Sequence, residues 1–301
     1  MISSRTRVLA IIGDPIEHSL TPRIQNAAWR ALNGDATGDG AQEAGQEAGF
    51  VNVAFGVPAA HLADAARGAR ALGLLGLMVT IPHKEAAVAL CDELDESARL
   101  MGACNLLHFR ADGKTIGYST DGWAAVKSLS EEGVPVRGVR VAIVGGGGAA
   151  RSLALTFARE GAAHIVLLNR TVARAQSVAD EVLTLGVEAR ALPLHDDSLR
   201  QTLPNTDLLV NATSVGMHPR EDESPLPPDV LHSRLAVYDI VYNPLQTRLL
   251  RDARTAGAKT VDGLGMLIYT NVRAAQICAG HELSAGVMRQ EALRALHRDE
   301  A

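Results

Sequence analysis

Aromatic side chains are scarce in this 301-residue chain, at 4 Phe, 4 Tyr and 2 Trp. Single-stranded nucleic acid is held on aromatic faces that stack against bases, so a platform of that kind is excluded. An excess of basic charge is missing too. The 29 Lys and Arg stand against 34 Asp and Glu, a formal net charge of -5, where a nucleic-acid partner needs a basic stripe. Cysteine is limited to Cys91, Cys104 and Cys278, odd in number and without a CxxC pair. Neither a disulfide framework nor a metal site is readable from that spacing, and a reducing cytoplasm suits it. The first apolar run, Val8–Ile12, is too short for a signal peptide core or a membrane span. These absences leave a soluble cytoplasmic protein acting on a small molecule, with no nucleic-acid or membrane partner.

What is present is glycine, 28 residues of it, in a chain 47% hydrophobic and 21% charged. The percentages are those of an ordinary globular protein, and the length predicts about two domains. Short β-branched runs alternate with helical patterns. Val8–Ile12 precedes a helix opening at Thr21-Pro22, with Thr21 read as its N-cap; Phe50–Phe55 precedes a helix after Pro58; Leu77–Val79 follows. Such alternation predicts βαβ units and a mainly parallel sheet. Gly34 to Gly49 is of low complexity and reads as a surface insertion. A hairpin turned at Asp112-Gly113 leads to a helix over residues 121–132, where the first domain boundary falls. The second segment repeats the pattern through Val141–Val144, Ile165–Asn169, Leu208–Asn211 and Ala236–Ile240, and reads as doubly wound. The tail from Leu264 is helical and lacks strands.

The run Val141 to Arg151 is a buried strand, a glycine turn and a helix start, and satisfies G-x-G-x-x-A through Gly145, Gly147 and Ala150. Gly145 permits the tight turn, Gly147 lets backbone approach a pyrophosphate, and Ala150 lets the helix pack on the strand. The N–H groups of Gly146, Gly147, Gly148 and Ala149 lie where a helix N-terminus receives phosphate. The next strand ends in Asn169-Arg170-Thr171 with Arg174 a turn later. An NAD site places a carboxylate there for the ribose hydroxyl; two guanidiniums and no acid favour NADP.

Two polar clusters interrupt strand ends in the first segment, Val79-Thr80-Ile81-Pro82-His83-Lys84 and Gly117-Tyr118-Ser119-Thr120-Asp121-Gly122. Read alone, Lys84 is a surface lysine and Asp121 a helix N-cap. Read together beside a hydride-carrying cofactor, they are an acid–base pair for the proton of an alcohol.

With these motifs in order, the chain resembles the shikimate dehydrogenase family across nearly its whole length. The likeness rests on Gly13 to Pro22, Val79 to Lys84, Gly102-Ala103-Cys104-Asn105, Ser119 to Gly122, the glycine turn, Asn169-Arg170-Thr171, Asn211 to Met217 and Asp262 to Met266. It implies an α/β fold: an N-terminal parallel-sheet substrate domain, residues 1–122, completed by C-terminal helices in 263–301, and a doubly wound Rossmann NADP-binding domain, 123–262. It also implies reversible hydride transfer between NADP and a ring hydroxyl of a small carbocyclic acid, in a monomer or homodimer. Lys84 and Asp121 match the catalytic pair. Ser19 and Thr21 match the holders of the substrate carboxylate. Thr80, Asn105, Tyr242 and Thr270 match positions near the ring. Gly145 to Ala150, Asn169, Arg170, Thr171 and Arg174 match cofactor contacts, with Thr213 and Gly265 beside the nicotinamide half.

Three positions depart from the family pattern. Met78 stands where an Asn is usual, Thr270 where a Gln is usual, and Ser119 begins what is usually Asn-Thr-Asp. A thioether does not replace an amide's donors. The departures leave open a different ring acid, such as quinate or an amino-substituted shikimate, and a non-catalytic NADP-binding relative. A folate or glutamyl-tRNA dehydrogenase relative is disfavoured by the Ser19 and Thr21 pair.

Overall fold

The computed structural model describes residues 2–32 and 49–299, and most of the Gly34 to Gly49 insertion lies outside them. The chain forms two compact units, Met1–Thr120 with Ile268–Ala301, and Asp121–Leu267. The first division falls two residues before the expected 122/123 boundary because Asp121 already begins a helix. The second falls at 267/268, inside a helix, and not at 262/263.

The first unit runs β1 (Arg7–Gly13), α1 (Thr21–Leu32), β2 (Phe50–Gly56), α2 (Leu62–Ala71), β3 (Gly76–Val79), β4 (Glu93–Leu94), α3 (Glu96–Met101), β5 (Leu106–Phe109) and β6 (Thr115–Tyr118). Its sheet has the order β2-β1-β3-β5-β6-β4. The β2-β1-β3 part is parallel, as the alternation predicts. The sheet then becomes mixed, since β5 runs antiparallel to both β3 and β6. For the β5–β6 pair the physical reason is the tight turn that joins them, where Gly113 has φ +87° and Lys114 N–H donates to the Asp112 carboxylate at 3.1 Å. β1 is buried on both faces, which is why it reads as an unbroken apolar run. Leu9 and Ile11 pack with Ile16, Met78 and Leu106, whereas Ala10 and Ile12 pack with Leu62, Leu77 and Leu107 on the opposite face.

The second unit holds α4 (Asp121–Glu131), β7 (Arg140–Val144), α5 (Gly148–Arg159), β8 (His164–Asn169), α6 (Val172–Thr184), β9 (Glu188–Pro193), α7 (Asp196–Thr202), β10 (Leu208–Asn211), β11 (Ala236–Asp239), α8 (Arg248–Thr255) and β12 (Lys259–Val261). The sheet is wholly parallel in the order β12-β11-β10-β7-β8-β9. Chain order reverses between β7 and β10, the switch point at which such sheets bind ligands outside their carboxyl ends. Within this unit α4 lies close on α5, because a Cβ on Gly122 would sit 1.9 Å from the Thr156 hydroxyl.

Two helices close the chain, α9 (Leu264–Ala279) and α10 (Ala285–Asp299). Ala274 and Cys278 of α9 enter the core of the first unit, and α10 is tied to α1 by the Arg23–Glu291 ion pair at 2.7 Å. Among the described residues no helix is long and apolar enough to cross a membrane, and no group of His, Cys, Asp and Glu is arranged to hold a metal.

Candidate active site

Lys84 follows the end of β3 in a segment held from three sides. Thr80 N–H donates to Ile12 O at 3.0 Å, and the His83 ring meets Val57 O at 2.7 Å while 1% exposed. The Lys84 carbonyl accepts from Cys104 N–H at 2.8 Å. The approach of Thr80 requires a glycine at position 13, where a Cβ would lie 2.5 Å from the Thr80 methyl. Asn105 follows Cys104, the residue whose N–H holds the Lys84 carbonyl. It is buried, donates from Nδ2 to Thr120 Oγ1 at 3.0 Å and accepts from Thr120 N–H at 2.8 Å.

Ser19 and Thr21 stand at the start of α1. The helix begins at Thr21 itself, and Thr21 is not the N-cap the sequence suggests: its hydroxyl accepts from Asn271 Nδ2 at 3.3 Å. Behind it runs a buried polar chain that sequence reasoning missed. Gln25 Nε2 donates to the Asn271 carbonyl at 3.2 Å and lies 3.5 Å from the Met78 sulfur, while Gln25 Oε1 accepts from Asn52 Nδ2 at 2.9 Å. Met78 is 4% exposed. Its thioether therefore serves as a weak acceptor inside the unit, for Gln25 Nε2 and, at 3.9 Å, for Asn52 Nδ2. Thr270 is half-buried on α9, next to Asn271.

The other expected residues belong to the second unit. Asp121 opens α4 and is half-buried. Gly145 has φ +133°, a conformation that favours glycine, and a Cβ there would lie 3.0 Å from Ala212 O. Gly146 is filled from behind by Asn169, whose Nδ2 donates to Thr171 O at 2.9 Å. A Cβ on Gly147 or Gly148 would meet nothing within 4 Å, so the turn has room beside the N-terminus of α5, the positive helix end that receives a phosphate. Ala150 is fully buried against the strand. Arg170 and Arg174 are exposed and in no ion pair among the described residues. The site thus fits a dinucleotide bearing a 2′-phosphate.

Beyond the glycine turn, Thr213 Oγ1 donates to Asn211 Oδ1 at 2.7 Å, and Asn211 Nδ2 donates to Asp239 Oδ1 at 2.9 Å. Asp239 also accepts from Val241 N–H at 3.1 Å and from the Thr247 hydroxyl at 2.7 Å. One buried carboxylate thereby ties the turn carrying Thr213 to the turn carrying Tyr242, whose phenol is pushed up by burial. Gly265 is buried in the first turn of α9. Burial raises the Asp239 carboxyl to about 6, with the three donors partly offsetting it. The folded state therefore holds a proton here more tightly than the unfolded chain. The stability this confers is complete below the ordinary carboxylate range and is lost as pH rises through about 6, a change of about 3 kcal/mol. In denaturant melts from about pH 4 to about pH 7, Asp239→Asn should remove that component from the stability curve; parallel curves for the two proteins would contradict it.

A doubly wound parallel sheet with a glycine turn at its switch point, followed by Arg170 and Arg174, which are in no ion pair among the described residues, defines a dinucleotide-binding protein. Comparison with known proteins is specific. The profile for the shikimate dehydrogenase substrate binding domain matches residues 11–107, and that for shikimate / quinate 5-dehydrogenase matches residues 128–221. Shikimate dehydrogenase (NADP(+)) of Methanopyrus kandleri is 45% identical over 298 residues, 98% of each chain. A shikimate dehydrogenase crystallised in complex with NADP+ superposes with a TM-score of 0.88 at 37% identity, covering 98% of each chain. The ligand-free 5-ketofructose reductase of Gluconobacter sp. strain CHM43 superposes with a TM-score of 0.85 at 32% identity, covering 97% of this chain and 100% of that one. The chain belongs to the shikimate dehydrogenase family.

Proposed function

We propose that this protein catalyses the reversible NADP-linked interconversion of shikimate and 3-dehydroshikimate in the cytoplasm, as a monomer or homodimer. The observation that carries the reading is 45% identity to an NADP-dependent shikimate dehydrogenase over 98% of the chain. The turn Gly145–Ala150 and the α5 N-terminus would hold the pyrophosphate, with Asn169, Arg170, Thr171 and Arg174 around the 2′-phosphate and Thr213 and Gly265 by the nicotinamide. Bound NADP supplies the hydride acceptor. Ser19 and Thr21 donate to the ring carboxylate, while Thr80, Asn105, Tyr242 and Thr270 recognise the ring and its hydroxyls. Lys84 and Asp121 relay the proton of the reacting hydroxyl as its carbon loses hydride. Turnover of shikimate with NADP by the purified protein tests the reading; inactivity with both directions of the reaction would defeat it.

The second reading is the same chemistry on a different cyclic substrate, such as quinate or an amino-substituted shikimate. Thr270, shorter than the usual Gln and lacking its amide, favours it, and so does Ser119. Met78 favours it less, because its sulfur is spent on the buried Gln25.

Thr21 supplies a further expectation. An amide nitrogen only donates, so the bond from Asn271 leaves the Thr21 hydroxyl as acceptor there and keeps its one proton for a carboxylate. Asn271→Ala should raise KM for the acid by roughly tenfold with kcat little changed, the effect of losing about 1–2 kcal/mol of oriented hydrogen bonding. In a Thr21→Val background the same change should add nothing. Equal effects in both backgrounds would show that Asn271 does not act through Thr21.

A further inference from the structure

Cys91 and Cys104 face each other over β6. Their sulfurs are 3.9 Å apart, and the strand passes beneath them at Gly117, where a Cβ would lie 2.5 Å from one sulfur and 2.6 Å from the other. The glycine therefore leaves the room that both thiols share. Cys91 is half-buried and ends the short 3-10 turn Ala86–Leu90 that follows Lys84, with its thiol donating to Ala87 O at 3.3 Å. Cys104 is buried, and its N–H holds the Lys84 carbonyl. Its next neighbour is Asn105. The pair thus lies directly behind two of the residues assigned to the reaction, and neither sulfur has a part in that reaction.

We propose that Cys91 and Cys104 form a reversible intramolecular disulfide on exposure to a low-molecular-weight disulfide, and that the bond lowers turnover by shifting the backbone that carries Lys84 and Asn105. The existence of the bond is independent of the proposed activity; its effect on turnover rests on it. A disulfide requires the sulfurs to close to about 2.05 Å, roughly 1 Å of movement for each. In the first step the Cys91 thiolate attacks one sulfur of the small disulfide, breaking its S–S bond and releasing one thiolate. The Cys104 thiol then loses its proton, and its sulfur attacks the Cys91 sulfur and expels the second thiolate. Two protein thiols are oxidised, one small disulfide is reduced to two thiols, and the two protons from the protein end on those thiols. The sulfur–sulfur hydrogen bond favours this order, lowering the Cys91 thiol and raising the Cys104 thiol. Cys278, fully buried in the first unit and pushed up by burial, is the internal control.

The test treats the folded, full-length protein with oxidised glutathione and reads intact mass, peptide connectivity and turnover. The expected product is lighter by two hydrogen atoms, carries a Cys91–Cys104 link with Cys278 still reduced, and has a kcat/KM lower by on the order of tenfold or more, the scale of displacements near 1 Å at a catalytic group. A dithiol reductant restores both mass and activity. Cys91→Ser and Cys91→Ala keep basal activity and resist the treatment. Retention of three free thiols, arrest as a glutathione adduct on Cys91, or a link that leaves turnover unchanged would each overturn the proposal. Should Lys84→Ala prove fully active, the reading of the site fails, while the mass measurement still decides whether the bond forms.

Discussion

Lys84→Ala should lower kcat by on the order of 10²–10⁴-fold, the contribution of a positioned proton-transfer group, with little change in thermal stability. The argument is local. The lysine stem emerges from a segment fixed by the His83 ring on Val57 O and by Cys104 N–H on the Lys84 carbonyl. Those anchors involve the backbone and a neighbouring side chain, so truncation at Lys84 removes the ammonium group and leaves its support in place. Steady-state assays of the variant in both reaction directions, with a melting curve beside them, separate loss of chemistry from loss of fold. Asp121→Asn, which keeps the side-chain shape at the start of α4, should fall in the same direction. Full turnover by Lys84→Ala would remove this lysine from the proton route.

The second large effect concerns cofactor choice. Replacing Arg170 and Arg174 together by alanine should raise KM for NADP by about a hundredfold and leave KM for NAD nearly unchanged. Each charge-assisted contact to a 2′-phosphate is worth about 1.5 kcal/mol at an exposed site, and 1.4 kcal/mol is tenfold in affinity. Both guanidiniums are exposed and in no ion pair among the described residues, so their removal leaves no carboxylate stranded and costs the fold little. Equal losses with NADP and NAD would mean that the two arginines support the turn and do not read the phosphate.

The parts of the fold legible in the sequence are those whose signal is local. β1 and β7 are buried on both faces and read as continuous apolar runs, and the glycine turn identifies itself because Gly145 needs positive φ next to a strand and a helix. β9 and β12 were not legible. β9 lies at the sheet edge with Glu188 and Arg190 turned outward, and β12 is three residues long. The mixed character of the first sheet follows from a hairpin the sequence does signal, but the placement of β5 beside β3 is a long-range pairing that no local pattern encodes.

Site residues divide in the same way. Lys84, Asp121 and the glycines occur in compact motifs. The chain from Asn52 through Gln25 to Asn271 and Thr21 joins β2, α1 and α9, positions far apart in sequence, and each amide by itself reads as an ordinary polar residue of its element. Met78 shows the converse. Its identity announces a lost amide, and only its burial beside Gln25 reveals that the position is occupied by packing. Asp239 is not legible as a site residue, because a strand-end carboxylate gives no sequence sign of the two turns it joins.

The most direct test of the account is an absorbance assay of purified protein with NADP and with NAD against shikimate, quinate and an amino-substituted shikimate. Reduction of NADP with shikimate as the best substrate, and much slower reduction of NAD, is the predicted result. No turnover of any of these acids, or a preference for NAD, would contradict it.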